Sequence, residues 1–225
     1  MRTFLLEYGL YVEWVLAAAE VILTIILFSD FGKKRAPIIL CMALLGLGLC
    51  IDAAVIGLGG KLVEPVLAIL SQMRFTLHGL LVPLNLTICV LALPLWPIPR
   101  RILVVVTLLI MLAGGFTGFS REIALQEEIG DIVRFASVSP RDSWMEIANS
   151  VITYGCIIPV IITGIYLLLR ERSASILLGS VLMFSFAALG PATGNFDLIF
   201  LITMFGELFL LLFYTIYEKR HTDAE

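Results

Sequence analysis

Charged side chains are scarce in this chain of 225 residues. They make up 15% of the sequence, whereas hydrophobic residues make up 60%, and a soluble domain carries about 25% charged residues. The apolar residues form uninterrupted blocks, and a block of about 20 residues suffices to cross a bilayer as a helix. These features exclude a soluble enzyme, a nucleic-acid-binding protein and a disordered tail, and they indicate a multi-pass membrane protein with the lipid bilayer as its surroundings.

Several chemical signatures are also missing from the sequence. The four cysteines lie inside apolar blocks without a Cys-x-x-Cys motif, and the chain has only two histidines, His78 and His221. Because zinc sites are built from clusters of thiolate and imidazole ligands, we expect neither a metal site nor a cofactor. The net charge of −3 also argues against the basic surface that nucleic-acid binding requires.

The apolar blocks predict an all-α integral membrane protein, a seven-transmembrane-helix bundle that forms a single domain over residues 1–225. The predicted spans are 10–29, 36–59, 66–95, 102–119, 144–169, 175–193 and 196–217. Pro83 in the third span and Pro159 in the fifth are expected to kink their helices, because proline removes a backbone hydrogen bond.

The basic residues predict the orientation of the bundle. With seven spans, one side of the membrane collects Lys33, Lys34, Arg35, Arg100, Arg101, Arg170, Arg172, Lys219 and Arg220. The other side collects Arg2, Lys61, Arg121, Arg134 and Arg141. Since cytoplasmic loops are enriched in Lys and Arg, we predict the N-terminus outside and the C-terminus in the cytoplasm. No signal peptide or retention motif is recognisable, and we therefore expect a bacterial cytoplasmic membrane.

The outer loop 120–143 between the fourth and fifth spans has a pattern of its own. Its apolar residues recur at helical spacing: Leu125, Ile129, Ile132 and Ala136. This spacing predicts a short amphipathic helix on the outer membrane surface, and the alternative is a lid over an outward-facing site. Ser143 and Glu146 match a capping box, which would give Glu146 a structural role at the start of the fifth span.

Polar residues inside the spans are the candidates for function, because each is costly there. The candidates for substrate or ion binding are Asp52, Arg74, His78, Glu207, Glu20 and Asn85, and the secondary candidates at the outer mouth are Asn149, Asn195 and Asp197. Arg74 and His78 are four residues apart and share a helix face. We predict that Arg74 pairs with Asp52, and that Glu13 reaches the membrane surface.

The carboxylates inside the spans outnumber the basic residues. Glu13, Glu20, Asp52 and Glu207 have only Arg74 as a permanent cation within the spans. A carboxylate in a medium of low dielectric constant takes up a proton or binds a cation when it has no partner. The sequence therefore predicts that a proton or a cation acts as a partner of this site.

Three functions fit these residues. The leading hypothesis is a small proton- or cation-linked permease or channel that uses the buried acids. The alternative is a membrane-embedded enzyme acting on a lipid or lipid-linked substrate from the outer leaflet, with Asp52, His78 and Glu207 in acid–base roles and Arg74 holding a phosphate or carboxylate. The third is a sensor or accessory subunit whose polar cluster is structural. A homo-oligomer stays open as a partner, since a single bundle of seven helices must otherwise build a whole transport pathway. A retinal protein is excluded, because the seventh span has no lysine.

Overall fold

The computed structural model describes residues 2–128, 132–140, 142–194 and 198–221. Helices dominate it: α1 (Arg2–Lys34), α2 (Pro37–Leu58), α3 (Glu64–Leu81), α4 (Leu84–Ala92), α5 (Pro97–Phe119), α6 (Trp144–Glu171), α7 (Ser175–Thr193) and α8 (Ile199–His221). Two strands, β1 (Ile123–Glu128) and β2 (Ile132–Ser137), pair between α5 and α6.

Within the described residues, six helical segments are long and apolar enough to cross a bilayer. They are Glu7–Lys34, Pro37–Lys61, Glu64–Ala92, Pro97–Phe119, Trp144–Glu171 and Ile199–His221. The class of an all-α membrane protein is therefore supported. The predicted span 175–193 coincides with α7, but the apolar part of this helix, Ser175–Leu189, is shorter than the other segments. The count of seven spans stays a prediction.

The third predicted span is interrupted where its proline lies. Helix α3 ends at Leu81 and α4 begins at Leu84, with Val82 and Pro83 between them. The Val82 N–H still donates to the His78 carbonyl at 3.0 Å, whereas Pro83 has no N–H to continue the ladder. Helix α6, in contrast, runs through Pro159 without interruption.

The amphipathic helix predicted in the loop 120–143 is wrong. An antiparallel hairpin stands there, with Ile123 opposite Ser137 at its open end. The apolar spacing fitted a helix, but β-branched residues and Phe135 favour a strand when a packing surface is available. That surface is the end of α2, where the Val133 carbonyl lies so close to Gly59 that a Cβ atom there would find no room.

Glycines allow α3 and α5 to pack backbone against backbone. A Cβ atom on Gly79 would collide with the Gly114 carbonyl, and one on Gly118 would collide with the carbonyl of Phe75. Close approach of this kind is typical of small residues at helix interfaces in membranes. The contact fixes the position of α3, which carries Arg74 and His78.

Ion pairs join the C-terminal ends of α1, α6 and α8 at one end of the bundle, which we call the basic end. Lys34 Nζ lies 2.9 Å from Glu218 Oε1, and His221 Nε2 lies 3.4 Å from Glu171 Oε2. The hairpin lies at the opposite end, since it packs on the C-terminal end of α2. Which of the two ends faces the cytoplasm stays a prediction from the basic residues.

Candidate functional site

A cavity of about 480 Å³ opens at the hairpin end, between α2, α3, α6, α8 and the hairpin. Five of the predicted site residues line it: Asp52, Arg74, His78, Asn149 and Glu207. They come from four helices, α2, α3, α6 and α8. A volume of this size fits a small ligand, since ligand sites measure about 300–1,000 Å³.

The predicted pair of Asp52 and Arg74 is confirmed. Arg74 Nε lies 3.0 Å from Asp52 Oδ1, and Arg74 Nη2 donates to the Phe135 carbonyl of β2 at 3.3 Å. The guanidinium also lies over the Phe75 ring, 4.5 Å from its centroid. Arg74 is 4% exposed, and these contacts stabilise its charge away from water.

His78 and Glu207 lie close to Asp52 at the cavity. His78 Nδ1 lies 3.9 Å from Asp52 Oδ2, and one ligand atom from each of the three side chains falls within 4.8 Å of the others. Glu207 is 4% exposed, and its Oε2 has no hydrogen-bond partner among the described residues. Two carboxylates and an imidazole therefore face one another at the floor of the cavity.

Glu13 and Glu20 of α1 lie behind this group. The expectation that Glu13 reaches the membrane surface is wrong, because Glu13 and Glu20 are both 0% exposed. Their carboxylate oxygens have no hydrogen-bond partner among the described residues. Both carboxylates interact electrostatically with Asp52 and with Glu207. The four acids predicted from the sequence thus belong to a single electrostatic cluster.

Asn85 lies deeper, beyond the cavity floor. It accepts a hydrogen bond of 2.5 Å from the buried Tyr214 hydroxyl. A second cavity of about 30 Å³, which is room for water, reaches from His78 and Glu207 to Asn85. A third, of about 10 Å³, continues from Asn85 to Ser180. The cavities form a series that points from the hairpin end towards the basic end.

Two arginines of the outer loop also line the cavity, although nothing in the sequence marks them as site residues. Arg121 Nε lies 3.3 Å from Glu146 Oε1, and the Arg134 guanidinium lies 4.1 Å from the centroid of the Phe200 ring. Burial lowers the pKa of Arg121, and the Glu146 carboxylate opposes this shift. The sequence indicates only loop charges at these two positions, because no apolar periodicity marks them as buried.

Glu146 differs from its predicted role. Ser143 caps α6 as predicted, accepting from the Glu146 N–H at 3.3 Å. The Glu146 side chain, however, does not complete the capping box: its Oε1 accepts from the Ser137 hydroxyl at 2.7 Å and pairs with Arg121. This carboxylate therefore ties the hairpin to α6 at the rim of the cavity.

The remaining secondary candidates, Asn195 and Asp197, lie outside the described residues. No protein-family model matches the chain, and no curated protein is significantly similar to it.

Proposed function

We propose that this protein is a small proton- or cation-linked permease or channel of a bacterial cytoplasmic membrane. The observation that carries the proposal is the cluster of buried carboxylates at the cavity. Glu13, Glu20 and Glu207 have oxygens without hydrogen-bond partners among the described residues. In a membrane such carboxylates take up protons or bind cations, and the cavity gives Glu207 access to both.

The proposal includes seven spans, with the N-terminus outside. Helix α7 has 19 residues and rises about 28 Å at 1.5 Å per residue, close to the roughly 30 Å of a hydrocarbon core. It packs closely on α6, where Gly164 contacts Leu177. With α7 as a span, the basic end lies in the cytoplasm and the cavity opens outward.

Two smaller cavities below the main one support a pathway through the bundle. The two smaller cavities extend past Asn85 towards the cytoplasmic end, where the pairs Lys34–Glu218 and His221–Glu171 hold the helices together. An open outer cavity above a closed inner end is the arrangement expected for one state of alternating access.

The test uses the purified chain in liposomes that contain the pH-sensitive dye pyranine. An inside-negative potential is imposed with potassium and valinomycin, and small carboxylates, phosphates and sodium are added outside in turn. We expect dye acidification, or uptake of labelled sodium, above that of protein-free liposomes. Glu207→Gln abolishes the flux, because the amide neither carries a proton nor binds a cation.

Glu64→Gln is the matched control, since it makes the same change at an exposed position at the start of α3. Flux in this variant equals the wild-type flux. Absence of proton and sodium movement with every added solute, in wild-type protein that elutes as a folded species, overturns the proposal. Equal loss in both variants overturns the role of Glu207.

A second candidate is an enzyme that acts on a lipid headgroup from the outer leaflet. The observation that favours it is the presence of Arg74, Arg121 and Arg134 in the same cavity as Asp52 and His78. Guanidinium groups bind phosphates, and an Asp–His pair supplies acid–base chemistry. This function predicts a lipid product in cells expressing the wild type that disappears with His78→Ala, measured by mass spectrometry of lipid extracts.

A further inference from the structure

Three metal-ligand side chains from three helices meet at the floor of the cavity. They are the carboxylates of Asp52 (α2) and Glu207 (α8) and the imidazole of His78 (α3), with ligand atoms within 4.8 Å of one another. A tetrahedral ion with bonds of about 2.1 Å holds its ligand atoms roughly 3.4 Å apart, so the side chains need to close by about 1 Å. Changes in side-chain rotamers supply such a movement.

Asp52 is held in the orientation that a ligand needs. Arg74 Nε contacts Oδ1 at 3.0 Å, and the other oxygen, Oδ2, is the one that faces His78 at 3.9 Å. Partners that fix one oxygen of a ligating carboxylate are a regular part of metal sites. The pair with Arg74 therefore does not compete with a metal ion for Oδ2.

Glu207 supplies an independent observation. Its side chain is 4% exposed, it lines both the main cavity and the second cavity, and its Oε2 has no hydrogen-bond partner among the described residues. A buried carboxylate oxygen without a partner is costly unless it is paired or coordinates a metal. Beside Glu207 lie two further ligand groups, the Asp52 carboxylate and the His78 imidazole.

The ligand set itself suits a divalent cation. It offers the carboxylates of Asp52 and Glu207 together with the imidazole of His78, which binds a metal in its neutral form. A doubly charged ion would neutralise the two carboxylates, and its binding would release any proton that they hold.

We propose that Asp52, His78 and Glu207 bind a divalent first-row transition metal ion, with Zn²⁺ and Mn²⁺ as the best matches. One imidazole and two carboxylates suit these ions, whereas Mg²⁺ and Ca²⁺ prefer oxygen ligands alone. Three protein ligands leave coordination positions open towards the cavity. The metal site itself does not depend on the proposed function. Only the role of the ion, as the coupled or carried cation, rests on the proposed cation-linked function.

The expectation of no metal site came from the small number of histidines and cysteines. Two carboxylates and one histidine on three different helices carry no spacing motif, and their meeting depends on how α2, α3 and the distant α8 pack. The proposed site is therefore one that only the structure could indicate.

The experiment measures binding to the full-length chain in detergent after removal of metals with a chelator. Isothermal titration with Zn²⁺ and with Mn²⁺ is expected to give saturable binding of one ion per chain, and Mg²⁺ and Ca²⁺ at the same concentrations are expected to bind far more weakly. We expect three variants, Asp52→Asn, His78→Gln and Glu207→Gln, each to weaken binding by roughly 10-fold or more. In other metal sites, removal of a residue that only hydrogen-bonds to a ligand already causes a loss of this size.

If a variant fails to fold, pulsed electron paramagnetic resonance of the Mn²⁺-loaded wild type still tests the proposal, because it detects a nitrogen ligand of the metal ion directly. The chain has two histidines, and His221 lies at the opposite end, where it contacts Glu171. A nitrogen coupling that persists in His221→Gln and disappears in His78→Gln supports the site. No saturable binding by the wild type, or a nitrogen coupling lost in His221→Gln, overturns it.

The titration also separates this inference from the proposed function. Metal binding without any flux in liposomes, with Zn²⁺ and Mn²⁺ also added outside in turn, leaves the metal site standing and overturns the permease. Flux of protons without metal binding leaves the permease standing and overturns the metal site.

Discussion

Arg74 of α3 and Asp52 of α2 form an ion pair in which a nearly buried guanidinium, 4% exposed, lies 3.0 Å from a carboxylate oxygen. The same guanidinium donates to the Phe135 carbonyl of the hairpin. This pair therefore joins two helices and the outer hairpin at the cavity. It also orients the Asp52 oxygen that faces His78.

Removing one partner of this pair is expected to destabilise the protein. Asp52→Asn leaves the Arg74 charge in its buried position without its nearest carboxylate, and we expect a loss of about 3 kcal/mol in the free energy of unfolding, as for other broken buried pairs. The double variant Asp52→Asn/Arg74→Gln removes both charges and recovers most of that loss. Denaturant unfolding in detergent, followed by circular dichroism, measures both values. Additive losses in the double variant would show that the two residues are not coupled.

The glycine contact between α3 and α5 predicts a second effect. Gly79→Ala inserts a methyl group against the Gly114 carbonyl, and such overpacking costs about 1–3 kcal/mol. Because His78 precedes this position, displacement of α3 disturbs the 3.9 Å approach of its imidazole to Asp52. We expect lower thermal stability together with weaker Zn²⁺ binding.

Gly155→Ala is the control for that change. A Cβ atom there meets no atom within 4 Å, and alanine is the better helix former by about 1 kcal/mol. Stability equal to or above the wild type is therefore expected. If Gly79→Ala behaved like Gly155→Ala, the close packing of α3 on α5 would be refuted.

The basic end predicts a third effect, on access from the cytoplasm. Lys34 pairs with Glu218, whose side chain is 1% exposed, and Cys41 is half-buried beside the packed residues of this end. In a background without the other cysteines, Glu218→Gln weakens the pair, and we expect faster alkylation of Cys41 by N-ethylmaleimide. The charge swap Lys34→Glu/Glu218→Lys restores slow alkylation. Identical rates in all three proteins would mean that the pair does not hold this end closed.

The residues that belong to helices could be predicted from the sequence, but little of the outer loop could. Arg74 and His78 could be placed on one face because four residues make about one helical turn, and Asp52 could be paired with Arg74 because both lie at a similar depth. Arg134 could not be found in this way. It belongs to a strand whose position depends on Val133 packing against Gly59, and the apolar spacing around it fits a helix equally well.

The break at Pro83 could be predicted, because proline lacks the N–H that the hydrogen bonds of a helix require. The contacts that Asn85 makes beyond the break could not. Asn85, beyond the break, still lines the second cavity together with His78. Its hydrogen bond with Tyr214 joins α4 to α8 across 129 positions of sequence. Contacts between residues so distant in sequence depend on the packing of the whole bundle.

The packing of the hairpin on Gly59 yields a last prediction, which also tests the orientation. Gly59→Ala places a Cβ atom against the Val133 carbonyl, so the hairpin is displaced and Arg121 and Arg134 lose their shielded positions at the cavity. Trypsin added to intact spheroplasts is then expected to cleave after these arginines faster than in the wild type. Gly32→Ala, at a position with no atom within 4 Å of the added Cβ, serves as the control with wild-type cleavage. Cleavage of the hairpin only after the cells are opened would place the hairpin in the cytoplasm, and the orientation predicted from the basic residues would be wrong.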